Sequence, residues 1–246
     1  MTRPERATAF EALVDDYDAA RPDYPDALYD LLPPLAGARV LELGAGTGKQ
    51  TPGLRARGAD LVSTDLGPRM LGRLHRHLPD VPVAVARAEQ LPFAGGVFDG
   101  ACGAQMWHWV DTPAGAAEVA RVLRPDGWLA LWWNDVDAQG QPWYEAQQAR
   151  LERSGTGYRR SYRDDPTTGI EAFFRTVTVA ETTWSRTLDW PTYARWLRSK
   201  SYVAALPDPE GFLAAERASF AEAFPDGRIV EPFRVRLVTA SGPLRH

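Results

Sequence analysis

Apolar runs of strand length alternate with helix-like segments through the first half of this chain, and that rhythm is its strongest constraint. The runs are "ARVLELG", "ADLVSTD", "VPVAVA", "VFDGACGA" and "WLALWWN", the last ending at Asn134. Short, unbroken apolar runs bounded by glycine or an acid predict strands buried on both faces. Helical segments such as "PRMLGRLHRHL" and "PAGAAEVARVL" fall between them. Alternation of this kind specifies an α/β fold, a doubly wound and mostly parallel sheet with helices on both faces. A chain of 246 residues is long for one domain and short for two, so a single domain with elaborations is expected.

The turn after the first strand, "ELGAGTGKQT", carries Gly44, Gly46 and Gly48 on alternate positions behind Glu42, with Ala45 between the first two. Glycine permits left-handed backbone and lets a ligand approach where a Cβ would stand. In open α/β sheets ligands bind beyond the carboxyl ends of the strands, where the strand order reverses. A nicotinamide fold would place glycine at position 49, where this chain has Lys49, so the spacing is not the dinucleotide fingerprint. Asp65 closes the second strand, where a carboxylate can accept from both hydroxyls of a ribose. Glu89 follows the third. The competing reading makes Asp65 a helix cap and Glu89 a solvated side chain; placement at three successive strand ends favours one shared crevice.

After Asn134 the rhythm changes. "PWYEAQQARLERSG" reads as a helix, "TVTVAETTWSRTL" (176–188) alternates as a strand, two helices follow, and "FRVRLVTA" closes as a strand. The expected layout is helices over 1–35, a ligand-binding core over 36–135, covering insertions at 136–175 and 189–230, and late strands at 176–188 and 231–241. "DALYDLLPPL" reads as a helix stopped by Pro33 and Pro34.

Four motifs in order resemble the class I S-adenosylmethionine-dependent methyltransferases: "VLELGAGTG", "STDLGPRML", "ARAEQLPFAGGVFDGAC" and "EVARVLRPDGWLAL". The resemblance implies a seven-stranded sheet whose last strand inserts antiparallel. It implies S-adenosyl-L-methionine as cofactor and S-adenosyl-L-homocysteine as product. By the same resemblance Glu42, Gly44, Ala45, Gly46 and Gly48 belong to the turn around the cofactor's methionine part. Asp65 holds the ribose, Leu66 lies on the adenine, Ala88 and Glu89 meet the adenine edge, and Gln105 contacts the amino-acid moiety. Where many relatives carry Asp in the third-strand motif, this chain has Arg87. "YDAARPDYP" is similar to the N-terminal lid of the subgroup that includes trans-aconitate methyltransferases. There Tyr17 and Arg21 would close over the cofactor, the guanidinium facing its carboxylate.

"AQMWHWVD" follows the fourth strand and faces the reacting end. Its His108–Trp109 pair resembles the "HW" of small-molecule carboxyl methyltransferases. His108 reads as a base, as a holder of an acid, or as a structural histidine. Trp107, Trp109 and Trp133 are candidate walls of an acceptor pocket, and rings such as Trp184, Trp190, Tyr193 and Trp196 crowd the second half. Arg153, Arg159, Arg160 and Arg163 form a run suited to an anion or, more commonly, a solvated loop.

A formal net charge of -4 argues against a dedicated nucleic-acid binder, and no apolar run is long enough to span a bilayer. The single cysteine, Cys102, excludes an intrachain disulfide and fits a reducing compartment. A cytoplasmic monomer or homodimer is expected. His75, His77, His108 and His246 show no ligand spacing, so no metal is expected. The reading from sequence is a methyltransferase with a small-molecule acceptor, oxygen preferred and carboxylate first. Nitrogen or carbon methylation, a peptide acceptor and a non-methylating cofactor-binding protein stay open.

Overall fold

The computed structural model describes residues 21–154, 158 and 167–244. Tyr17, Arg159, Arg160 and Arg163 lie outside them. The strands are β1 (Arg39–Leu43), β2 (Asp60–Asp65), β3 (Val83–Val85), β4 (Phe98–Ala104), β5 (Leu123–Val136), β6 (Phe174–Asp189) and β7 (Arg228–Pro243). They form one sheet in the order β3-β2-β1-β4-β5-β7-β6. The first five strands are parallel, and β7 runs antiparallel between β5 and β6. The order reverses between β1 and β4, which opens a crevice at their carboxyl ends.

The helices are α1 (Asp26–Tyr29), α2 (Thr51–Ala56), α3 (Pro68–His77), α4 (Thr112–Val122), α5 (Pro142–Arg153), α6 (Trp190–Arg198), α7 (Ser201–Ala204) and α8 (Pro209–Ala223). Three of them start the same way. Asp111, Asp189 and Asp208 each accept a first-turn backbone N–H, with proline at the first or second helical position. The carboxylate satisfies an orphan donor and proline is preset for helical φ.

The pleat divides the core. Leu129, Leu131 and Trp133 of β5 face one cluster, and Trp128, Ala130 and Trp132 face the other. Trp128 lies over its cross-strand partner Gly100, where an added Cβ would sit 2.3 Å from the indole. A third cluster gathers Tyr193, Trp196, Leu197, Phe220 and Phe233 over the end of the sheet.

The seven-stranded sheet and its antiparallel insertion match expectation, whereas several bounds differ. α1 covers only four residues, because its later turn runs into Pro33 and Pro34. β5 starts at Leu123, where helix was expected, and pairs there with Phe98 before its register shifts. Pro125 has no N–H to give a ladder, which fits the shift falling between Leu123 and Trp128. β6 and β7 are longer than the 176–188 and 231–241 expected, since each keeps the other's backbone paired.

Candidate active site

The turn after β1 is built on three left-handed glycines, Gly44 (φ +57°), Gly46 (φ +57°) and Gly48 (φ +93°), each doing a different job. A Cβ at Gly44 would collide with Met106 at 2.8 Å, so this glycine admits the loop after β4. Gly48 lies against Leu74 of α3 and Thr51, away from the crevice. A Cβ at Gly46 would meet nothing within 4 Å, so here the bare backbone faces open space.

Beneath the turn lies Glu42, fully buried. Its carboxylate accepts from Thr51 Oγ1 at 2.9 Å and from the Ser63 hydroxyl. Burial pushes its pKa up to about 7, against the pull of the Ser63 and Thr51 hydrogen bonds. The structure thus places Glu42 under the turn as its support, outside the crevice. Above the turn, Asp65 Oδ2 accepts the Gly46 N–H at 2.9 Å and Oδ1 the Gly67 N–H at 2.7 Å. Leu66, next to it, is 40% exposed.

The crevice is open to solvent. Gly44, Ala45, Gly46, Thr47, Lys49 and Gln50 form its floor, Ala104, Gln105 and Asn134 the strand ends, and Arg21, Pro22, Tyr24 and Trp196 the opposite rim. The lining holds two cations and, among the described residues, no carboxylate and no imidazole. Gln105 has φ +56°, uncommon for a side-chain-bearing residue, and its Nε2 donates to the Asn134 carbonyl at 3.0 Å.

Asn134 is buried, and its Oδ1 accepts the Trp184 indole N–H at 3.0 Å. An indole nitrogen only donates, so the atom it meets is the amide oxygen. The amide nitrogen is buried with no partner among the described residues. The result is a donor fixed at the end of β5.

Of the residues expected from sequence, Arg21, Gly44, Ala45, Gly46 and Gln105 meet in this crevice, and Asp65 joins it through Gly46. Ala88, Trp107 and Trp133 lie in the packed core beside β4 and β5, each under 8% exposed. These two tryptophans are core because β5 alternates Trp132 and Trp133 across the sheet and Trp107 covers Gly115 of α4. Glu89 accepts the Asp111 N–H at 3.0 Å and faces Arg87 at 3.6 Å. His108, half-buried, packs its ring 4.9 Å from Trp109 in the 3-10 turn Trp107–Trp109. Arg153 ends α5.

Sequence reasoning passed over Tyr24, Lys49, Gln50 and Asn134. Asn134 had a signal, an amide closing an otherwise apolar strand; the others had none. No described helix is long and apolar enough to cross a membrane. No group of metal-binding side chains occurs among the described residues.

Comparison with known proteins agrees with this geometry. The family profile described as "Methyltransferase domain" matches residues 41–131, from β1 into β5. An uncharacterized methyltransferase of Mycobacterium tuberculosis H37Rv is 37% identical over 206 residues, covering 84% of this chain and 82% of that protein. A demethylmenaquinone methyltransferase of Beutenbergia cavernae is 37% identical over 106 residues, 43% of this chain and 44% of its own. A solved structure from Anaeromyxobacter dehalogenans, assigned as a type II methyltransferase, superposes with a TM-score of 0.65 at 25% identity, covering 92% of this chain and 99% of that one. A phosphoethanolamine N-methyltransferase of Haemonchus contortus, solved with S-adenosylhomocysteine, shares the fold at a TM-score of 0.57 and 15% identity, over 95% of this chain and 58% of that one. With a relative matching over four-fifths of its length and a glycine turn open at the switch point, the chain belongs to the S-adenosylmethionine-dependent methyltransferases.

Proposed function

We propose that this methyltransferase acts on a small molecule at oxygen, with a carboxylate as the preferred acceptor. The carrying observation is the lining of the crevice, where Arg21 and Lys49 contribute positive charge and, among the described residues, no carboxylate or imidazole is present. An alcohol or amine usually has to lose a proton during transfer, whereas a carboxylate arrives ionised. The likeness of "YDAARPDYP" and His108–Trp109 to the trans-aconitate subgroup supports the same choice.

The open face of Gly46 fits the cofactor, as does the paired Asp65 carboxylate one hydrogen bond away. On this reading Gly44, Ala45, Gly46 and Gln105 surround the methionine part, Asp65 takes the ribose hydroxyls, and Leu66 covers the adenine. Ala88 and Glu89 edge the adenine, Arg21 faces the carboxylate, and Tyr17 belongs to the lid. Gly48 and Glu42 shape the turn. His108 and Trp109 flank the acceptor side. When bound, S-adenosylmethionine supplies a methyl group already activated by its sulfonium. The protein's own part is to hold an acceptor oxygen in line with that group and to exclude water.

Incubation with methyl-labelled cofactor and a panel of carboxylic acids, phenols and amines tests the acceptor class. Label in an alkali-labile methyl ester is the expected product; label confined to amines or phenols overturns the reading. Asp65→Ala is expected to weaken S-adenosylhomocysteine binding by about 1–3 kcal/mol, the size of a lost charge-assisted hydrogen bond. Unchanged calorimetric affinity would remove the ribose assignment.

A further inference from the structure

Trp196 of α6 has its edges and faces claimed by charge. Its indole N–H donates to Glu231 Oε1 at 2.8 Å. Glu231 of β7 is 1% exposed and is neutralised by Arg186 of β6, whose Nε lies 2.8 Å from Oε2. The Arg186 guanidinium also stands 4.8 Å from the Trp196 centroid, and that of Arg21 stands 5.2 Å from it. Arg21 further donates to the Ser199 carbonyl at 3.2 Å.

The third cation on this ring is Lys200, whose Nζ sits 3.8 Å from the Trp196 centroid and 5.7 Å from that of Tyr202. Lys200 is half-buried, and among the described residues its ammonium stands over these two rings with no hydrogen-bond acceptor. An ammonium group has three donors and strong hydration, so holding it against two rings without an acceptor is costly. The charged and titratable groups facing it are Arg21, Asp135 of β5, Arg186, Glu231 and Tyr202 of α7. Burial pushes its pKa down to about 7; Glu231 and Asp135 oppose that shift, while Arg21 and Arg186 reinforce it.

Across the same crevice, Asn134 presents a buried amide nitrogen with no partner among the described residues, and Trp196 lines the wall opposite the glycine turn. Asn134 and Trp196 both line the crevice, and the Lys200 ammonium stands on the Trp196 ring, which brings a cation to the wall that the unmatched amide shares.

We propose that Lys200 and the Asn134 amide form an anion subsite that holds a carboxylate of the methyl acceptor against Trp196. This rests on the small-acid reading above and gives it a location. The subsite is distinct from Arg21, which faces the cofactor's own carboxylate on that reading. A carboxylate at Lys200 favours its charged form, so above neutral pH the acceptor binds together with a proton.

The test uses the full-length protein saturated with S-adenosylhomocysteine, and phenylacetate and phenylacetamide as probes read by calorimetry. In the wild type phenylacetate is expected to bind at least tenfold tighter than its amide at pH 7, and to weaken toward tenfold per pH unit above that. Lys200→Met should lose the preference and leave S-adenosylhomocysteine affinity unchanged. Lys200→Arg should keep the preference and lose its pH dependence, since arginine does not titrate there. Equal affinity for acid and amide in the wild type overturns the subsite. So does a preference that survives Lys200→Met, or S-adenosylhomocysteine affinity that falls with it, which would give Lys200 to the cofactor's carboxylate. A carboxylate preference without any methyl ester in the labelling panel overturns the acceptor reading and leaves the subsite standing.

Discussion

The two ends of the crevice are built in opposite ways. At the glycine turn, what a ligand meets is backbone: Gly46 offers an uncovered peptide, and Asp65 grips that same peptide from above. At the Trp196 end it meets side chains. Arg21, Asn134 and Trp196 line it from the N-terminal segment, β5 and α6, and Arg186, Lys200 and Glu231 surround the Trp196 ring from β6, the α6–α7 link and β7. A backbone site tolerates little variation, because its shape depends on φ values that few residues adopt. A side-chain site can be retuned one residue at a time. Cofactor binding and acceptor choice should therefore respond to different substitutions.

The largest effect that would break this contrast lies at Gly46. Its φ of +57° strains any residue with a Cβ, and valine would also project both methyls into the space now open. Gly46→Val is expected to weaken S-adenosylhomocysteine more than about 100-fold, about 2.7 kcal/mol or more, and the strained residue costs about 1–3 kcal/mol of folding stability besides. Near-normal calorimetric binding by a folded variant would mean that nothing approaches this peptide.

The next effect concerns what lies under the turn. Glu42 titrates near 7 in the folded protein against 4.5 in its reference state, so the folded form holds the proton more tightly. Its contribution to stability is thus present in full below about pH 4.5 and is lost as pH rises to and through 7. At 1.36 kcal/mol per unit, that loss is on the order of 3 kcal/mol. Glu42→Gln is uncharged at every pH. The stability difference between wild type and variant, followed by urea unfolding, should shift against the wild type by that amount across the window. A difference independent of pH would show that Glu42 has the same pKa in the folded and unfolded forms.

The same contrast explains what was legible in the sequence. The turn could be read from "ELGAGTG", because left-handed glycines and a strand-ending acid are local signals with few structural meanings. The sheet followed from alternating apolar runs, and its antiparallel last strand from the resemblance. The Trp196 end was not legible. That Lys200 lies on Trp196 depends on how α6 and α7 pack over β6 and β7, and no spacing in "WLRSKSY" encodes Glu231 or Asn134. Trp133 and Trp184 show the limit clearly: both are tryptophans in strands, yet one fills the core while the other donates its N–H to Asn134, which lines the crevice. Only the register of β6 on β7, with Trp184 opposite Phe233, decides which.

The smallest effect sharpens the comparison most. Trp184 stacks on Phe233 with centroids 4.9 Å apart, and its N–H holds the Asn134 amide oxygen. Trp184→Phe keeps a ring on Phe233 and removes only the donor, a change worth about 1 kcal/mol of stability. Freed of that donor, the Asn134 amide can turn its oxygen toward the crevice, where it repels a carboxylate. The variant should therefore bind S-adenosylhomocysteine within about twofold of wild type, while its preference for phenylacetate over phenylacetamide drops a few-fold. A fall in cofactor affinity with the preference intact would place Asn134 at the backbone-built end and erase the division between the two.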